Sequence, residues 1–167
     1  MNKTLYFTFL FFFLWALQVF VLNNILLFGY VNPYLYIAFI FFYPLRKNRF
    51  NLIFISFLLG LGVDLFSNTG GIHAFASVFI AYFRLFFIKL FFNKLEADYP
   101  FFKLKSEPFG KVFNFVITLT ILHHFLLFAF ANFSFGNLSG VFLNTLYSAI
   151  FTLVLFFSGS YIFTKDY

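Results

Sequence analysis

Long, nearly uncharged apolar segments dominate this chain and limit what it can fold into. Of its 167 residues, 63% are hydrophobic and only 10% are charged, whereas about a quarter of an average soluble chain is charged. A helix needs about 20 mostly apolar residues to cross a hydrocarbon core about 30 Å thick. The pattern therefore predicts an all-α integral membrane protein, in which residues 1–167 form a single transmembrane domain.

Six transmembrane helices are predicted, and they cover residues 5–22, 30–43, 50–67, 72–92, 112–130 and 138–163. A signal peptide is the alternative for the first, but no small-residue cleavage site follows it. The second is short and contains Pro33 near its start, so a re-entrant or tilted element is the alternative there. Only residues 68–71 separate the third from the fourth, which predicts a tight helical hairpin.

The basic residues set the predicted orientation, because Lys and Arg collect on the cytoplasmic side of membrane proteins. They lie in alternate connections and in both tails: Lys3, Arg46, Lys47, Arg49, Lys94, Lys103, Lys105, Lys111 and Lys165. The other connections, residues 23–29, 68–71 and 131–137, contain no Lys or Arg. We therefore expect a multi-pass protein of the inner membrane with both termini in the cytoplasm. The formal charge of +6 indicates membrane anchoring, and no nucleic-acid partner is expected.

Two stripes of small and polar residues are expected to face each other in the hairpin. They are Ser56, Gly60, Asp64 and Ser67 on the third helix, and His73, Ser77, Ala81 and Arg84 on the fourth. Spacings of three and four residues place each set on one helical face. Small side chains let helix backbones approach closely in lipid, so the sequence predicts close packing along these stripes.

Asp64 has more than one interpretation. Its carboxylate would accept hydrogen bonds from free N–H groups at the start of the fourth helix, a site that favours negative charge. It would alternatively pair with Arg84, whose side chain leans toward it. A proton-carrying or ligand-binding role is the functional alternative. The structural role is favoured, because the packing stripe already explains a polar residue there.

His123 and His124 raise the question of a metal site or a proton relay. Successive residues point about 100° apart on a helix, so the two rings are not expected to share one narrow seam. Counting along the helices puts His124 at the depth of Asp64 and His73 about 10 Å away, near the outer surface. Zinc bonds are about 2.0–2.2 Å long, so no metal site is predicted.

No catalytic pattern is present in the sequence. It contains no GxSxG, HExxH, Walker or GxGxxG pattern, each of which would suggest a particular chemistry. The absence of cysteine removes thiolate metal sites and cysteine nucleophiles. Residues 93–111, the largest polar connection, are too few to form a core of their own. We expect no enzyme activity, no catalytic residue, no cofactor and no small-molecule substrate.

The hairpin has a distinctive sequence, GLGVDLFSNTGGIHAFA at residues 60–76 followed by FIAYFR at residues 79–84. This sequence resembles the signature of the rod shape-determining protein family MreD, in its Bacteroidetes form. The Asn32-Pro33-Tyr34 start of the second segment and its Tyr43-Pro44 end are similar as well.

This resemblance implies a non-enzymatic membrane component of the bacterial cell-elongation machinery. MreD proteins are partners of MreC, and they link cytoplasmic MreB filaments to the RodA glycosyltransferase and its transpeptidase partner in lateral peptidoglycan synthesis. The resemblance also implies the fold of the substrate-binding subunits of energy-coupling-factor vitamin transporters. The hairpin residues expected to hold structure or contact partners are Gly60, Asp64, Gly71, His73 and Arg84.

Two other functions remain open on the sequence alone. The first is a vitamin-transporter substrate-binding subunit, since fold does not fix function. Those subunits carry an Ala-x-x-x-Ala pattern on the first helix, whereas the first segment here has a single alanine, Ala16. The second is a proton-conducting transporter subunit that uses Asp64 and His124.

Overall fold

Helices make up the structure, a computed structural model that describes residues 2–25, 29, 31–46, 48–132 and 138–162. Within these residues every regular element is helical, which confirms the all-α class. Five helices are long and apolar enough to cross a membrane: Thr4–Asn24, Phe50–Ser67, Ile72–Phe92, Phe109–Ala131 and Leu138–Ser160. The basic residues Lys47 and Lys165, and the ends of two predicted spans, Tyr30 and Phe163, lie outside the described residues.

Six α-helices are labelled here in chain order. They are α1 (Lys3–Ala16), α2 (Ala38–Phe42), α3 (Phe50–Ser67), α4 (Ile72–Phe92), α5 (Phe109–Ala131) and α6 (Leu138–Ile162). A π-helical turn (Leu17–Val21) and a 3-10 turn (Leu22–Asn24) extend α1, and a 3-10 turn (Leu35–Ile37) precedes α2. Two further 3-10 turns, Glu96–Phe101 and Leu104–Ser106, lie between α4 and α5.

The turn between α3 and α4 ends one helix and starts the next within a few residues. Asn68, Gly70 and Gly71 have φ angles of 54°, 67° and 99°, a left-handed backbone that glycine and asparagine adopt most readily. This turn ends α3 and allows α4 to start within four residues. The bounds of both helices agree with the predicted spans 50–67 and 72–92. In contrast, α5 begins at Phe109 instead of the predicted residue 112, because Pro108 directly precedes its first turn and proline suits a helix start.

The predicted span 30–43 is not a continuous helix. Residues 32–34 are non-helical, a 3-10 turn follows, and α2 has only 5 residues. Nevertheless, the segment is the most deeply buried part of the fold, and Tyr36, Ile37 and Ile40 have no exposed surface. Irregular backbone is tolerated at membrane depth only where protein encloses it. The predicted second span, residues 30–43, is therefore not confirmed as a transmembrane helix, and we refer to residues 31–43 as the buried irregular segment.

The buried irregular segment runs antiparallel to α1. The rings of Phe39 and Phe11 lie 5.6 Å apart, and those of Tyr43 and Phe7 lie 5.7 Å apart. Its opposite side meets α6, where the Phe41 ring lies 5.6 Å from the ring of Phe156. The four long helices α3 to α6 pack mainly each against the next. Together with α1 they surround the irregular segment.

Candidate functional site

The helices α3 and α4 touch backbone to backbone at Gly60. A Cβ atom on Gly60 would lie 2.5 Å from the carbonyl oxygen of His73 and 2.6 Å from the Cα of Ala74. Both predicted stripes are buried along this contact except for the half-buried Ser67, and Ser56, Ser77 and Ala81 are fully enclosed. The predicted close packing is confirmed, because only a residue without a side chain fits at this crossing.

Asp64 caps the start of α4. Its Oδ1 accepts hydrogen bonds from the backbone N–H of His73 at 3.0 Å and from the Thr69 hydroxyl at 2.5 Å, and its Oδ2 accepts one from the N–H of Ala74 at 2.8 Å. These N–H groups have no partner within the helix, and a negative charge is favoured at a helix N-terminus. The contacts agree with the capping interpretation. The predicted alternative, a pair with Arg84, is wrong for this structure.

Gly71 lies at the N-cap position of α4 with a φ of 99°. Its carbonyl oxygen accepts the N–H of Phe75 at 3.0 Å, which begins the helical hydrogen-bond pattern. A Cβ at this position would meet no atom within 4 Å. Glycine is required there by the backbone conformation and not by space.

Arg84 binds the end of α2 instead of a carboxylate. Its Nη2 donates to the carbonyl oxygens of Phe41 at 3.2 Å and Tyr43 at 2.5 Å. The last carbonyls of a helix lack partners within the helix and carry partial negative charge, so a cation stabilises them. Arg84 is only 2% exposed. It therefore fixes the buried irregular segment to α4, just as Asp64 fixes α3 to α4.

A tyrosine hydroxyl joins two of the three histidines. The Tyr36 hydroxyl lies 3.0 Å from Nδ1 of His73 and 2.8 Å from Nε2 of His123, and the Ser77 hydroxyl donates to it at 3.4 Å. Sequence counting put His73 about 10 Å from His124 and Asp64 in depth, and this separation is wrong. The short turn and the cap on the His73 N–H bring His73 to the depth of Asp64.

His123 and His124 are both fully buried, and they face different neighbours. His123 faces Tyr36, whereas His124 contacts the Thr120 carbonyl through Nδ1 at 2.8 Å and the Thr152 hydroxyl through Nε2 at 3.0 Å. A carbonyl oxygen only accepts, so Nδ1 of His124 carries a proton. The two histidines therefore point to different hydrogen-bond partners, as the expectation of separate seams requires, but their rings lie only 5.4 Å apart. Sequence reasoning missed that both rings contact Tyr34, whose ring lies 5.3 Å from the His124 ring and 6.3 Å from the His123 ring.

Side chains from distant helices satisfy the backbone of the buried irregular segment. Gln18 donates to the Pro33 carbonyl at 2.9 Å, and the N–H groups of Asn32 and Tyr34 donate to the hydroxyls of Ser148 at 3.2 Å and Thr152 at 2.9 Å. Buried backbone groups need such partners in lipid. Sequence reasoning missed Gln18, although a lone amide in an apolar helix is the kind of residue that marks a buried contact.

A groove opens between α1 and α3 on the outside of the bundle. The two helices touch at one end, where a Cβ on Gly62 would overlap the Trp15 indole and the Asn23 amide donates to the Ser67 hydroxyl at 2.8 Å. They diverge toward the other end and leave a groove of about 1100 Å³. Its walls are formed by Thr4, Phe7, Thr8, Phe11 and Phe12 on α1, Phe39 on α2, Ile55 and Leu58 on α3, and residues of the 43–46 and 97–100 connections.

These features define a class of protein, a helical multi-pass membrane protein with a buried polar core. Within the described part of the chain, no group of three His, Asp or Glu side chains is arranged to hold a metal ion. No protein-family model matches the chain, and neither does any curated protein or solved structure. The resemblance to MreD and to the transporter subunits therefore stays a prediction.

Proposed function

We propose that this chain is a non-enzymatic membrane component of the bacterial cell-elongation machinery, with the role of MreD. In this role it docks MreC in the inner membrane. It also links cytoplasmic MreB filaments to RodA and to the transpeptidase partner of RodA. The support is the hairpin sequence at residues 60–84, whose Asp64 and Arg84 both hold backbone groups of neighbouring segments. A rigid hairpin suits a scaffold that presents a fixed surface to partners.

The proposal includes six membrane crossings with both termini in the cytoplasm. The buried irregular segment meets Gln18 near one end of α1 and Phe7 near the other. At about 1.5 Å per residue these positions are about 16 Å apart along α1. The contacts between α1 and the segment therefore extend over about half of a hydrocarbon core about 30 Å thick. The basic residues of both tails and of the connections after α2 and α4 then collect on the cytoplasmic side.

The groove between α1 and α3 is the observation that carries the docking proposal. It runs along the helices, since its α1 wall extends from Thr4 to Phe12, about 12 Å of helix. Its aromatic walls offer packing surface, and the hydroxyls of Thr4 and Thr8 are the polar groups that join helices in lipid. The occupant we assign is the single transmembrane helix of MreC, because a groove about two helical turns long, with aromatic walls and hydroxyl groups, fits part of an apolar helix.

Cysteine cross-linking tests this assignment directly, because the chain has no native cysteine. Leu58→Cys lies in the groove and Leu146→Cys lies on α6 outside it, and the two leucines are similarly exposed, at 42% and 52%. We expect Leu58→Cys to form a disulfide with cysteines placed along the MreC helix, and Leu146→Cys to form none. Equal cross-linking at both positions would exclude the groove as the docking site.

Depletion tests the cellular role separately from the groove. Loss of a shape-determining component is expected to turn rods into rounded, swollen cells under the microscope. Expression of the Leu146→Cys chain should restore rods and serves as the control. Unaltered rods after depletion would argue against a role in cell elongation.

The tyrosine–histidine core favours a second candidate function, a proton-conducting subunit. Tyr36, His73 and His123 form a buried hydrogen-bonded chain of groups that can donate and accept protons, as intramembrane proton relays require. The test is a pH-dependent conductance in liposomes that Asp64→Asn or Tyr36→Phe abolishes in protein that remains folded. Liposomes without a proton flux above the protein-free control would remove this candidate.

A further inference from the structure

Three arginines line one small cavity beside the start of α3. Arg46, Arg49 and Arg84 contribute to its walls, which contain no Asp or Glu. Asn48, Asn51 and Leu52 at the start of α3 also line it. Three positive charges without a neighbouring carboxylate repel one another, so the cavity favours an anion.

The acidic side chains described in the structure are engaged elsewhere. Asp64 caps α4, Asp98 accepts the N–H of Leu95 at 2.9 Å, and Glu107 pairs with Lys94 at 2.8 Å. None of them is a wall residue of the arginine cavity. None of these described carboxylates therefore supplies a counter-charge to the arginine cavity.

Arg84 supplies the buried charge of the cavity. It is 2% exposed, and only its Nη2 donates to carbonyl oxygens. Its Nε has no hydrogen-bond partner among the described residues. A buried guanidinium whose donors are incompletely used is costly, and the energy cost falls when an anion or a water accepts from Nε.

Arg49 and the start of α3 form the mouth of the cavity. The Arg49 guanidinium stacks over the Tyr82 ring at 5.1 Å and donates to the Tyr82 carbonyl at 3.1 Å, which holds it against α4. The N–H of Phe50 donates to the side-chain oxygen of Asn48 at 2.9 Å. The next N–H groups, of Asn51 and Leu52, belong to a first turn that lacks partners within the helix and attracts anions.

We propose that the mouth of this cavity binds a phosphate group, supplied by an anionic phospholipid of the surrounding membrane. The cavity volume is about 10 Å³, which holds about one water molecule. The phosphate therefore sits at the mouth, between Arg46, Arg49 and the first turn of α3, and a water inside connects it to Nε of Arg84. Basic pockets between membrane helices bind lipid headgroups in this way. The proposal does not depend on the role in cell elongation.

Lipid binding to the purified chain in neutral detergent tests the site, with bound lipid counted by native mass spectrometry. The variant is Arg46→Gln with Arg49→Gln, and the control is Lys103→Gln with Lys111→Gln, which removes the same charge from exposed positions outside the cavity. We expect phosphatidylglycerol to bind the wild type and the control equally. The arginine variant should bind it more weakly on the order of tenfold, and phosphatidylcholine should bind none of them preferentially.

Inorganic phosphate at millimolar concentration distinguishes the two sources of the group. Displacement of phosphatidylglycerol only at high phosphate identifies the lipid as the ligand, and tight binding of phosphate alone identifies the free anion. If the double variant unfolds, the single variant Arg46→Gln replaces it in the lipid-binding measurement, because Arg46 is exposed. Equal weakening in the arginine variant and the lysine control would overturn the proposal, since it would show a general effect of net charge.

Discussion

Asp64 on α3 and Ala74 on α4 are joined by a hydrogen bond of 2.8 Å from the Ala74 N–H to the carboxylate. The other carboxylate oxygen accepts from the His73 N–H and the Thr69 hydroxyl. Both oxygens are thus occupied at the point where Gly60 lets the two backbones touch. The hairpin is therefore stabilised by the Asp64 carboxylate, and its close packing depends on the absence of a side chain at Gly60.

Asp64→Asn is expected to destabilise the protein by about 1–3 kcal/mol. The amide would direct a donor toward an N–H group that now donates to the carboxylate, which leaves buried groups unsatisfied. Unfolding in mixed micelles measures the change. Asp98→Asn is the control, because Asp98 is exposed and its one backbone partner, the Leu95 N–H, can still donate to the oxygen of an asparagine, so a smaller change is expected there. Equal stability of the two variants would contradict the capping role.

Gly60→Ala is expected to destabilise the hairpin by about 1–3 kcal/mol, the usual cost of overfilling a packed contact. The new Cβ would lie 2.5 Å from the His73 carbonyl oxygen, so α3 and α4 would have to separate. Gly110→Ala is the matched control, because a Cβ there meets nothing within 4 Å. Thermal unfolding of both variants gives the answer, and a fully stable Gly60→Ala protein would refute the close contact.

Tyr36→Phe is expected to cost about 1–3 kcal/mol of stability. The change removes the hydroxyl that His73 and His123 share and leaves two buried ring nitrogens without that partner. Tyr82→Phe makes the same chemical change at a position that is 51% exposed, and it should leave the stability almost unchanged. The measurement is the midpoint of unfolding. A Tyr36→Phe midpoint equal to that of Tyr82→Phe would mean that the shared hydroxyl contributes nothing.

Arg84→Lys is expected to weaken the fold even though it keeps the charge. Arginine presents a planar fork of donors, and an ammonium cannot reproduce its geometry toward two carbonyls. We expect a loss of about 1–3 kcal/mol, together with faster hydrogen exchange in the buried irregular segment. Arg46→Lys, at an exposed position, controls for the change of residue type. Unchanged exchange at residues 38–43 would show that Arg84 does not hold this segment.

The hairpin was predictable because its signals are local. Asn68, Gly70 and Gly71 mark the turn, and the stripes at spacings of three and four identify the packed faces. Asp64 is nine and ten residues from the N–H groups that it caps, which is close enough for a count along the chain to suggest the contact.

The short run and Pro33 allowed a re-entrant or tilted element at residues 30–43, but the contacts of the buried irregular segment were not predictable, because its partners are distant in sequence. Its N–H groups at Asn32 and Tyr34 bind hydroxyls 116 and 118 residues away. The carbonyls that bind Arg84 carry no side-chain signature at all. An apolar run of this length is read as a helix unless the tertiary contacts that satisfy an irregular backbone are known.

Whether the buried irregular segment crosses the membrane is tested most directly by the sidedness of Asn24 and Asn48, which flank it. Single Asn24→Cys and Asn48→Cys chains report it, because both positions are exposed and native cysteine is absent. Six crossings place Asn24 outside and Asn48 inside, so a membrane-impermeant maleimide should label Asn24→Cys in intact cells and Asn48→Cys only after permeabilisation. Labelling of both from the same side would contradict the account, since the segment would then not cross the membrane.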